Sequence, residues 1–266
     1  MSSARVSETN QIHATAIVDR GAHLDSNVSV GPYSVIGPKV RIGKDTWIGP
    51  HVVITGSTTI GPGNRIFQFS SIGELPQDKK YRGEPSELII GRENTIREYV
   101  TINSGTELGQ GYTKIGDRNW IMAYVHIAHD CTVGDDTVFA NGSTLAGHVE
   151  VENHATLGGF TLVHQFCRIG AHSFCAMGTA LNKDLPPYVM ASGKFAVTHG
   201  LNKVGLQRQG FSKECILALH QSYRLLFRNK GSRSENLPQV EALAEKFPEV
   251  RNFLEFITTS KRGIVP

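Results

Sequence analysis

An apolar residue recurs at every sixth position along most of this chain. The series covers residues 12–72, returns at 90–102 after one interruption, and continues over 115–181 after a second. An α-helix repeats about every 3.6 residues and a strand alternates every two, so neither produces this period. A repeat of six is typical of the parallel β-helix, in which one short strand and one corner form a hexad and three hexads close a triangular coil.

Glycine often follows the apolar residue of the hexad. It stands there at positions 31, 37, 43, 49, 61, 73, 91, 116, 134, 158 and 170. At a tight corner a side chain would crowd the next strand, and glycine avoids this. An antiparallel sandwich would instead give irregular strand spacing and no constant phase. The sequence therefore predicts an all-β solenoid, a parallel β-helix of hexapeptide repeats.

The solenoid is expected over residues 1–185 and a C-terminal α-helical domain over residues 186–266. Pro186 and Pro187 cannot donate to a strand ladder and are predicted to end the β-helix. Beyond them, apolar residues at spacings of three and four predict amphipathic helices, with Ser212 as N-cap and Gly231 as a stop. No apolar run reaches the length of a membrane span and the first residues lack the apolar core of a signal peptide. We therefore expect a cytoplasmic protein without membrane insertion.

Charge and cysteine content exclude several classes of function. The net charge of the whole chain is only +3, which argues against a nucleic-acid partner. Residues 1–185 carry 15 Lys/Arg and 18 Asp/Glu, whereas residues 186–266 carry 12 and 6. The basic tail suggests an acidic partner, although a solvated helix face would look the same. The cysteines form no CxxC pair, so neither a zinc ribbon nor a disulfide framework is predicted.

The two interruptions of the repeat are predicted to be loops. Continuing the phase from Ile72 would bury Asp78 and Glu84 inside the prism, where unpaired carboxylates are costly. Residues 73–88 should therefore project from the wall as a polar loop, where ligand contacts often collect, although a merely tolerated insertion remains the alternative. The second interruption, residues 104–113, is rich in glycine and offers less chemistry.

Residues eighteen positions apart should lie above one another, because one coil uses eighteen residues and coils are spaced about 4.8 Å apart. By this rule His129, Gly147 and Gln165 stack in one column at a corner. Four of the eleven histidines share that corner with three other residues of chemical interest: His126, His129, His148 and His164 with Asp130, Gly147 and Gln165. The repeat thus predicts a compact polar patch on the outside of the prism.

This patch suits general-base catalysis. His129 can take a proton from a hydroxyl group that attacks a carbonyl, and Asp130 can fix the tautomer of its ring. The N–H of Gly147 is suitably placed to receive the developing oxyanion, an interaction worth about 3 kcal/mol. The column holds no Ser or Cys nucleophile, which favours direct transfer. Solvated histidines and a zinc site such as that of hexapeptide carbonic anhydrases are the alternatives, but the histidine spacing is poor for zinc and we predict no metal.

Several motifs closely resemble one enzyme family. They are HIAHDCTVG (126–134), AGH (146–148), VHQFCRIGAH (163–172), QDKK (77–80) and PPYVMASG (186–193) followed by Asn202 and Gly205. Together they resemble the acyl-carrier-protein:UDP-N-acetylglucosamine O-acyltransferase family over essentially the whole chain. The resemblance implies a left-handed β-helix and a homotrimer with active sites between subunits, and it implies no cofactor. It also implies transfer of an (R)-3-hydroxyacyl group from acyl carrier protein to the glucosamine 3-OH of UDP-N-acetylglucosamine, the first step of lipid A biosynthesis.

The resemblance also implies roles for individual residues. His129 is similar to the general base, Asp130 to its orienting partner and Gly147 to the oxyanion donor. Asp78 and Lys80 resemble a sugar-binding carboxylate and its basic companion, and we expect both to project toward a neighbouring chain. The other residues that resemble substrate ligands are His126, His148, His164 and Gln165, with Asn202 and Arg208 acting from a neighbouring subunit.

Met177 resembles the residue that ends the acyl groove in this family. Its long thioether implies a shorter 3-hydroxyacyl donor of about 10 to 12 carbons, unless it only packs against the adjacent subunit. The nearest rival function is the N-acyltransferase that acts later in the same pathway. That family carries a separate domain before its hexads, whereas this chain enters the repeat at Ile12. A purely structural solenoid or a carbonic anhydrase would need neither the polar loop nor the basic tail.

Overall fold

The structure is a computed structural model that describes residues 5–6, 9–229 and 233–266. Within these residues, short strands alternate with corners, and strands of successive coils pair in parallel to build three sheets, here called the first, second and third walls. The first wall contains Arg5–Val6, His23–Leu24, Arg41–Ile42, Ser57–Ile60, Glu87–Ile90, Tyr112–Ile115, Thr132–Val133, Glu150–Val151 and Arg168–Ile169.

The second and third walls follow the same rule. The second wall contains Gln11–Ile12, Ser29–Val30, Trp47–Ile48, Arg65–Ile66, Thr95–Ile96, Trp120–Ile121, Val138–Phe139, Thr156–Leu157, Phe174–Cys175, Val189–Ser192 and Val197–Leu201. The third wall contains Ile17–Val18, Val35–Ile36, Val53–Ile54, Ser71–Glu74, Thr101–Asn103, His126–Ile127, Thr144–Leu145, Leu162–Val163 and Ala180–Leu181. The predicted parallel β-helix is therefore confirmed.

Strand register stacks the hexad positions on one another. Val133 pairs with Val151 and Val151 with Ile169, in steps of eighteen residues. The inward side chains form the core: from Leu24 to Leu181 the apolar hexad residues are at most 3% exposed. Burying each of the larger ones contributes about 1.5 to 3 kcal/mol, so repetition of one modest contact stabilises the whole prism.

Both interruptions of the repeat leave the wall as loops. The first lies between the strands Ser71–Glu74 and Glu87–Ile90, and the second between Thr101–Asn103 and Tyr112–Ile115. The wall continues across them in the correct register, since Ile72 pairs with Ile102. The insertions therefore add surface features without disturbing the stack.

Pro186 and Pro187 do not end the β-helix, contrary to the sequence prediction. Leu185 forms a parallel bridge to Ile169 in the first wall, and the strand Val189–Ser192 then pairs in parallel with Phe174–Cys175 in the second. The prolines occupy the corner between these walls, where no ladder donor is required. The β-helix thus extends one coil beyond these prolines. The domain boundary at residue 185 stays a prediction.

Helices follow the last strand. They are α1 (Lys203–Arg208), α2 (Lys213–Phe227), α3 (Arg233–Ala244) and α4 (Pro248–Thr259). Ser212 caps α2 by accepting a hydrogen bond from the Cys215 amide, as predicted, whereas Gly231 lies outside the described residues. None of the described helices is both long and apolar enough to cross a membrane.

The last residues of the chain return to the β-helix. Ile264 forms a parallel bridge with Asp184, and the hydroxyl of Ser260 donates to the Asp184 carboxylate over 2.7 Å. Asp184 is buried and also accepts a hydrogen bond from the Arg168 amide. The C-terminal segment is therefore held against the coils that follow the histidine-rich corner.

Candidate active site

The corner between the third and first walls holds the predicted histidine column. A methyl group built on Gly147 would lie 2.6 Å from Cε1 and 2.7 Å from Nε2 of His129, so the two residues are in direct contact one level apart. The rings of His129 and His148 meet edge to face, 5.1 Å apart, and His148 stacks on Phe166 at 4.4 Å. The eighteen-residue rule has thus placed these groups correctly.

A second column at this corner consists of Asp130, His148 and Phe166, and its backbone conformation directs these side chains away from the interior of the prism. Asp130, His148 and Phe166 have φ values of 60°, 61° and 64°, in the left-handed region. Such a conformation costs non-glycine residues of order 1 kcal/mol, although Asp and His adopt it more readily than most. Stacking of the successive rings of His148 and Phe166 offsets part of this cost.

His129 and Asp130 form a hydrogen-bonded pair. Nδ1 of His129 lies 2.8 Å from Oδ2 of Asp130, whose side chain is fully buried, while the His129 side chain is 13% exposed. An ionised carboxylate only accepts hydrogen bonds, so Nδ1 carries the proton. Nε2 therefore presents a lone pair on the side where Gly147 lies.

The second interruption wraps the Asp130 carboxylate, which corrects the expectation that this loop offers little chemistry. The Thr106 amide donates to Oδ1 over 2.9 Å and the Thr106 hydroxyl donates to Oδ2 over 2.7 Å. The Gln110 amide donates to Oδ1 over 3.2 Å, and Thr113 accepts from the Asp130 amide. The loop thereby supplies most of the hydrogen bonds that a buried carboxylate requires.

These contacts determine the ionisation of the corner. Burial alone would raise the pKa of Asp130, but hydrogen bonds from His129 and Thr106 outweigh it and the pKa lies below its ordinary value. Burial lowers the pKa of His126, with a smaller contribution from the nearby His129. Burial also lowers the pKa of His148, although the charges of Asp130 and Asp78 oppose it. At neutral pH, neutral rings of His126 and His148 therefore lie beside an anionic Asp130.

The polar loop of the first interruption folds back toward this corner. Asp78 accepts a hydrogen bond from the Lys80 amide over 2.9 Å, and its charge acts on His148 of the same chain. Both residues lie outside the core as predicted, with Lys80 exposed. Their expected projection toward a neighbouring chain stays a prediction.

Three further predicted ligands lie near His129, namely His126 on the same coil and His164 and Gln165 two coils further along the chain. His126 is half-buried and its Nδ1 lies 2.7 Å from the Thr101 hydroxyl. His164 and Gln165 are exposed, and the guanidinium of Arg262 lies 3.3 Å from Nδ1 of His164. The sequence gave no sign of this last contact, because 98 residues separate the two side chains.

A cleft of about 520 Å³ opens beside the corner. It extends from His148 and Phe166 across the first wall to the C-terminal segment, where Lys261 and Arg262 line it. Gln110 of the second loop forms part of its rim. The cleft is an open groove next to the histidine corner; Asp130 and His148 line it, whereas His129 does not.

The remaining predicted residues lie at other corners of the prism. The side-chain amide of Asn202 donates to the His172 carbonyl oxygen, and its Oδ1 caps α1, next to the corner between the first and second walls. Arg208 ends α1. Met177 is 77% exposed at the corner between the second and third walls. A single chain therefore does not bring Asn202, Arg208 or Met177 to His129.

The ligand atoms of His129, Asp130 and His148 lie within 4.8 Å of one another. The shared Asp130 oxygen is already occupied by hydrogen bonds from His129 and Thr106. His148 Nε2 is 3.8 Å from it. This arrangement is that of a hydrogen-bonded network around a carboxylate, and the expectation of a site without metal stays a prediction.

Comparison with known proteins finds relatives along the whole chain. A family profile described as Udp N-acetylglucosamine O-acyltransferase, domain 2, matches residues 184–265, and a bacterial transferase hexapeptide profile of six repeats matches residues 112–147. An acyl-(acyl-carrier-protein):UDP-N-acetylglucosamine O-acyltransferase of Herminiimonas arsenicoxydans is 57% identical over 264 residues, which cover 96% of this chain and 98% of that protein. One of Thiobacillus denitrificans is 56% identical over 254 residues with the same coverage.

Solved structures agree. A UDP-N-acetylglucosamine O-acyltransferase of Moraxella catarrhalis is 47% identical, with a TM-score of 0.93 over 96% of this chain and 99% of that one. A UDP-N-acetylglucosamine acyltransferase of Francisella novicida is 39% identical, with a TM-score of 0.93 over 96% of this chain and 94% of that one. The predicted fold class, a left-handed parallel β-helix of hexapeptide repeats followed by α-helices, is confirmed.

Proposed function

Because this chain belongs to the acyl-(acyl-carrier-protein):UDP-N-acetylglucosamine O-acyltransferase family, we propose that it performs the reaction of that family by general-base catalysis at His129. The enzyme transfers an acyl chain from acyl carrier protein to UDP-N-acetylglucosamine, the first step of lipid A biosynthesis. The resemblance seen in the sequence motifs is thereby confirmed. In the finer form of the proposal, the acyl group is (R)-3-hydroxyacyl and the acceptor is the glucosamine 3-OH.

In the proposed mechanism, Nε2 of His129 takes the proton of the acceptor hydroxyl as its oxygen attacks the thioester carbonyl. Asp130 holds the proton on Nδ1 and stabilises the imidazolium that forms. The carbon–sulfur bond then breaks, and the imidazolium returns the proton to the departing thiolate. No nucleophilic side chain is acylated, so the transfer is direct.

Gly147 supports the proposed oxyanion site. Its N–H makes no hydrogen bond to any residue in the described part of the chain, and its α-carbon lies against the Nε2 edge of His129. An N–H beside the base is available to the negative charge that develops on the carbonyl oxygen. Such a donor accelerates acyl transfer by about 100-fold to 1,000-fold.

The proposed acceptor site combines the polar loop with the rest of the histidine corner. Asp78 and Lys80 would bind the sugar, and the neutral rings of His126 and His148 can donate hydrogen bonds to it. The other proposed ligands are His164 and Gln165 on this corner and Asn202 and Arg208 from a neighbouring subunit.

We further propose a homotrimer with sites in the clefts between subunits. The separation of Met177, Asn202 and Arg208 from His129 supports this, because a neighbouring copy could present a different corner to the cleft. A ladder of exposed aromatic rings along the corner between the second and third walls offers an apolar contact surface: Tyr33, Phe69, Tyr99, Tyr124 and Phe160.

The basic tail is proposed as the docking surface for the acidic carrier protein. Burial lowers the pKa of His220, and the charges of Lys203 and Arg224 lower it further, so these two charges lie near each other on α1 and α2. Lys213 at the start of α2 is also exposed. The four cysteines are free, which is compatible with the proposed cytoplasmic location.

The pairing of His129 with Asp130 carries this proposal, and replacement of the base tests it. His129→Ala should lower kcat/KM about 100-fold to 10,000-fold, the usual contribution of a general base. Its circular dichroism and oligomeric state should match wild type, because the side chain lies outside the core. His13→Ala removes an exposed histidine at another corner and should be fully active. A His129→Ala enzyme within a few-fold of wild type would overturn the assignment.

A further inference from the structure

Asp130 is the only side chain among the described residues that shares a hydrogen bond with His129 Nδ1, and apart from His129 no residue of its own corner holds its carboxylate by a hydrogen bond. Its backbone is in the left-handed region at φ 60°, and a second possible donor is close, since His148 Nε2 lies 3.8 Å from the same oxygen. Rotation of the carboxylate would lengthen the contact with His129. Some other part of the chain must therefore define the plane of the carboxylate.

The loop of residues 104–111 defines that plane. Thr106 contacts both oxygens, with its amide on Oδ1 and its hydroxyl on Oδ2, so one residue grips the carboxylate at two points. The Gln110 amide adds a second donor to Oδ1, and its side-chain amide donates to the Asp130 carbonyl oxygen over 3.2 Å. Thr106 is 2% exposed, so water cannot readily replace its hydroxyl.

The loop also packs tightly against the Asp130 carboxylate. A methyl group built on Gly109 would lie 2.3 Å from the Asp130 side-chain carbon and 2.3 Å from Oδ1. Only a residue without a side chain permits this approach. The absence of a side chain at position 109 thus allows the loop to close over Asp130 and exclude solvent from it.

We propose that Thr106 is a positioning residue of the transfer reaction, which acts through Asp130 to hold the ring of His129 with Nε2 toward the acceptor hydroxyl. This inference rests on the proposed role of His129 as general base. Among the described residues the Thr106 hydroxyl bonds to Asp130 and the Gly109 amide and makes no hydrogen bond to His129, so its effect passes through Asp130. The glycine-rich loop is then a functional insertion and not a tolerated one.

The first test compares a substitution that removes the Thr106 hydroxyl with one that retains it. Thr106→Val keeps the backbone N–H and the branched shape but removes the hydroxyl, whereas Thr106→Ser keeps the hydroxyl. We expect Thr106→Val to lower kcat about 10-fold to 100-fold, the usual effect of losing an orienting hydrogen bond, with KM for UDP-N-acetylglucosamine changed less than about 3-fold. Thr106→Ser should restore most of kcat. Wild-type kcat in Thr106→Val would overturn the proposal.

A double-mutant cycle separates this proposal from the assignment of the base. If Thr106 acts through His129, then Thr106→Val should cause little further loss in a His129→Ala enzyme. An equal loss in both backgrounds would show an independent, structural role and overturn the inference. A fully active His129→Ala single variant would instead overturn the proposed function.

Gly109→Ala provides a second route if Thr106→Val fails to fold. The added methyl displaces the Asp130 carboxylate while the Thr106 hydroxyl remains. We expect a folded trimer with lowered kcat and little change in KM. Gly37→Ala is the matched control, because Gly37, like Gly109, is not in the left-handed region and its added methyl would meet nothing closer than 3.3 Å. Wild-type kcat in Gly109→Ala would contradict the proposal.

Discussion

Gly147 lies so close to His129 that a methyl group on its α-carbon would stand 2.7 Å from Nε2. Two features of Gly147 therefore matter for the reaction, namely its backbone N–H and its lack of a side chain. The N–H of Gly147 faces no partner among the described residues, and the missing side chain leaves the reactive edge of the imidazole open. The glycine is required here for close approach and not for an unusual backbone angle.

Gly147→Ala should therefore inactivate the enzyme by blocking the base. A contact below 3 Å forces the imidazole to move from Asp130 or the backbone to shift, and a displacement of about 1 Å can cost 100-fold in rate. Gly37→Ala is a matched control, because it lies at the same type of corner far from the site and its methyl would meet nothing closer than 3.3 Å. Steady-state kcat/KM checks both. Near-normal activity of Gly147→Ala would contradict the geometry described here.

Lys80→Ala should weaken binding of UDP-N-acetylglucosamine. Loss of one charge-assisted hydrogen bond costs about 1 to 3 kcal/mol, or roughly 5-fold to 150-fold in Kd. Lys79→Ala is the matched control, since it removes the same charge from the neighbouring exposed position. Calorimetric titration measures both affinities. Equal affinities for wild type and Lys80→Ala would remove Lys80 from the site.

Met177→Gly should shift donor preference toward longer acyl chains. The thioether is exposed at its corner, and its removal would open space for methylenes worth about 0.8 kcal/mol each. We expect the ratio of activity with a 14-carbon donor to that with a 10-carbon donor to rise. Met177→Leu retains most of the side-chain volume and should keep a ratio closer to that of wild type than Met177→Gly does. An unchanged ratio in Met177→Gly would place the end of the groove elsewhere.

His172→Phe should reduce the loss of stability in mild acid. Burial, with a smaller contribution from His154, lowers the pKa of His172 to about 4, below its ordinary value near 6.5. Between these two pH values the His172 ring is protonated in the unfolded chain but not in the folded chain. The free energy of unfolding therefore falls as the pH drops from about 6.5 toward 4. Its ring stacks between His154 and Tyr188, which phenylalanine can imitate.

The difference in melting temperature between pH 7.5 and pH 5 measures this effect. The full contribution of His172 is about 1 to 3 kcal/mol once partial solvent screening is allowed for, so the difference should be smaller in His172→Phe than in wild type. His13→Phe changes a solvated histidine and should keep the wild-type difference. Equal differences in all three proteins would show that other groups govern acid sensitivity.

The sequence predicts the walls and the catalytic corner well because the period converts residue number into position. Ile54, Ile96 and Ile127 are buried as their phase requires, and His129 and Gly147 meet because eighteen residues make one coil. Pro186 and Pro187 were misread because a proline breaks a ladder only where its N–H is needed. At a corner the same residues are tolerated, and the hexad phase does not extend far enough to reveal it.

Contacts made by residues outside the regular hexapeptide repeat could not be predicted from the sequence. Thr106 and Gln110 lie in an insertion, where residue number no longer predicts on which coil a residue lies or where its side chain points. Their hydrogen bonds to Asp130 could therefore not be predicted. Arg262 reaches His164 only because the chain leaves the prism, forms helices and returns beside Asp184. The available signal was the presence of hydrogen-bonding side chains, among them Thr106 and Gln110, in a glycine-rich segment.

The catalytic strand His126–Ile127 is the sixth of the nine described strands of the third wall. Each coil of a solenoid contacts only its neighbours, so such a protein frays from its ends and the interior coils open last. Amide hydrogens around His129 should accordingly be among the slowest to exchange with solvent. We therefore expect the coils beneath the groove to stay folded while the substrates bind. Binding would then need no local unfolding.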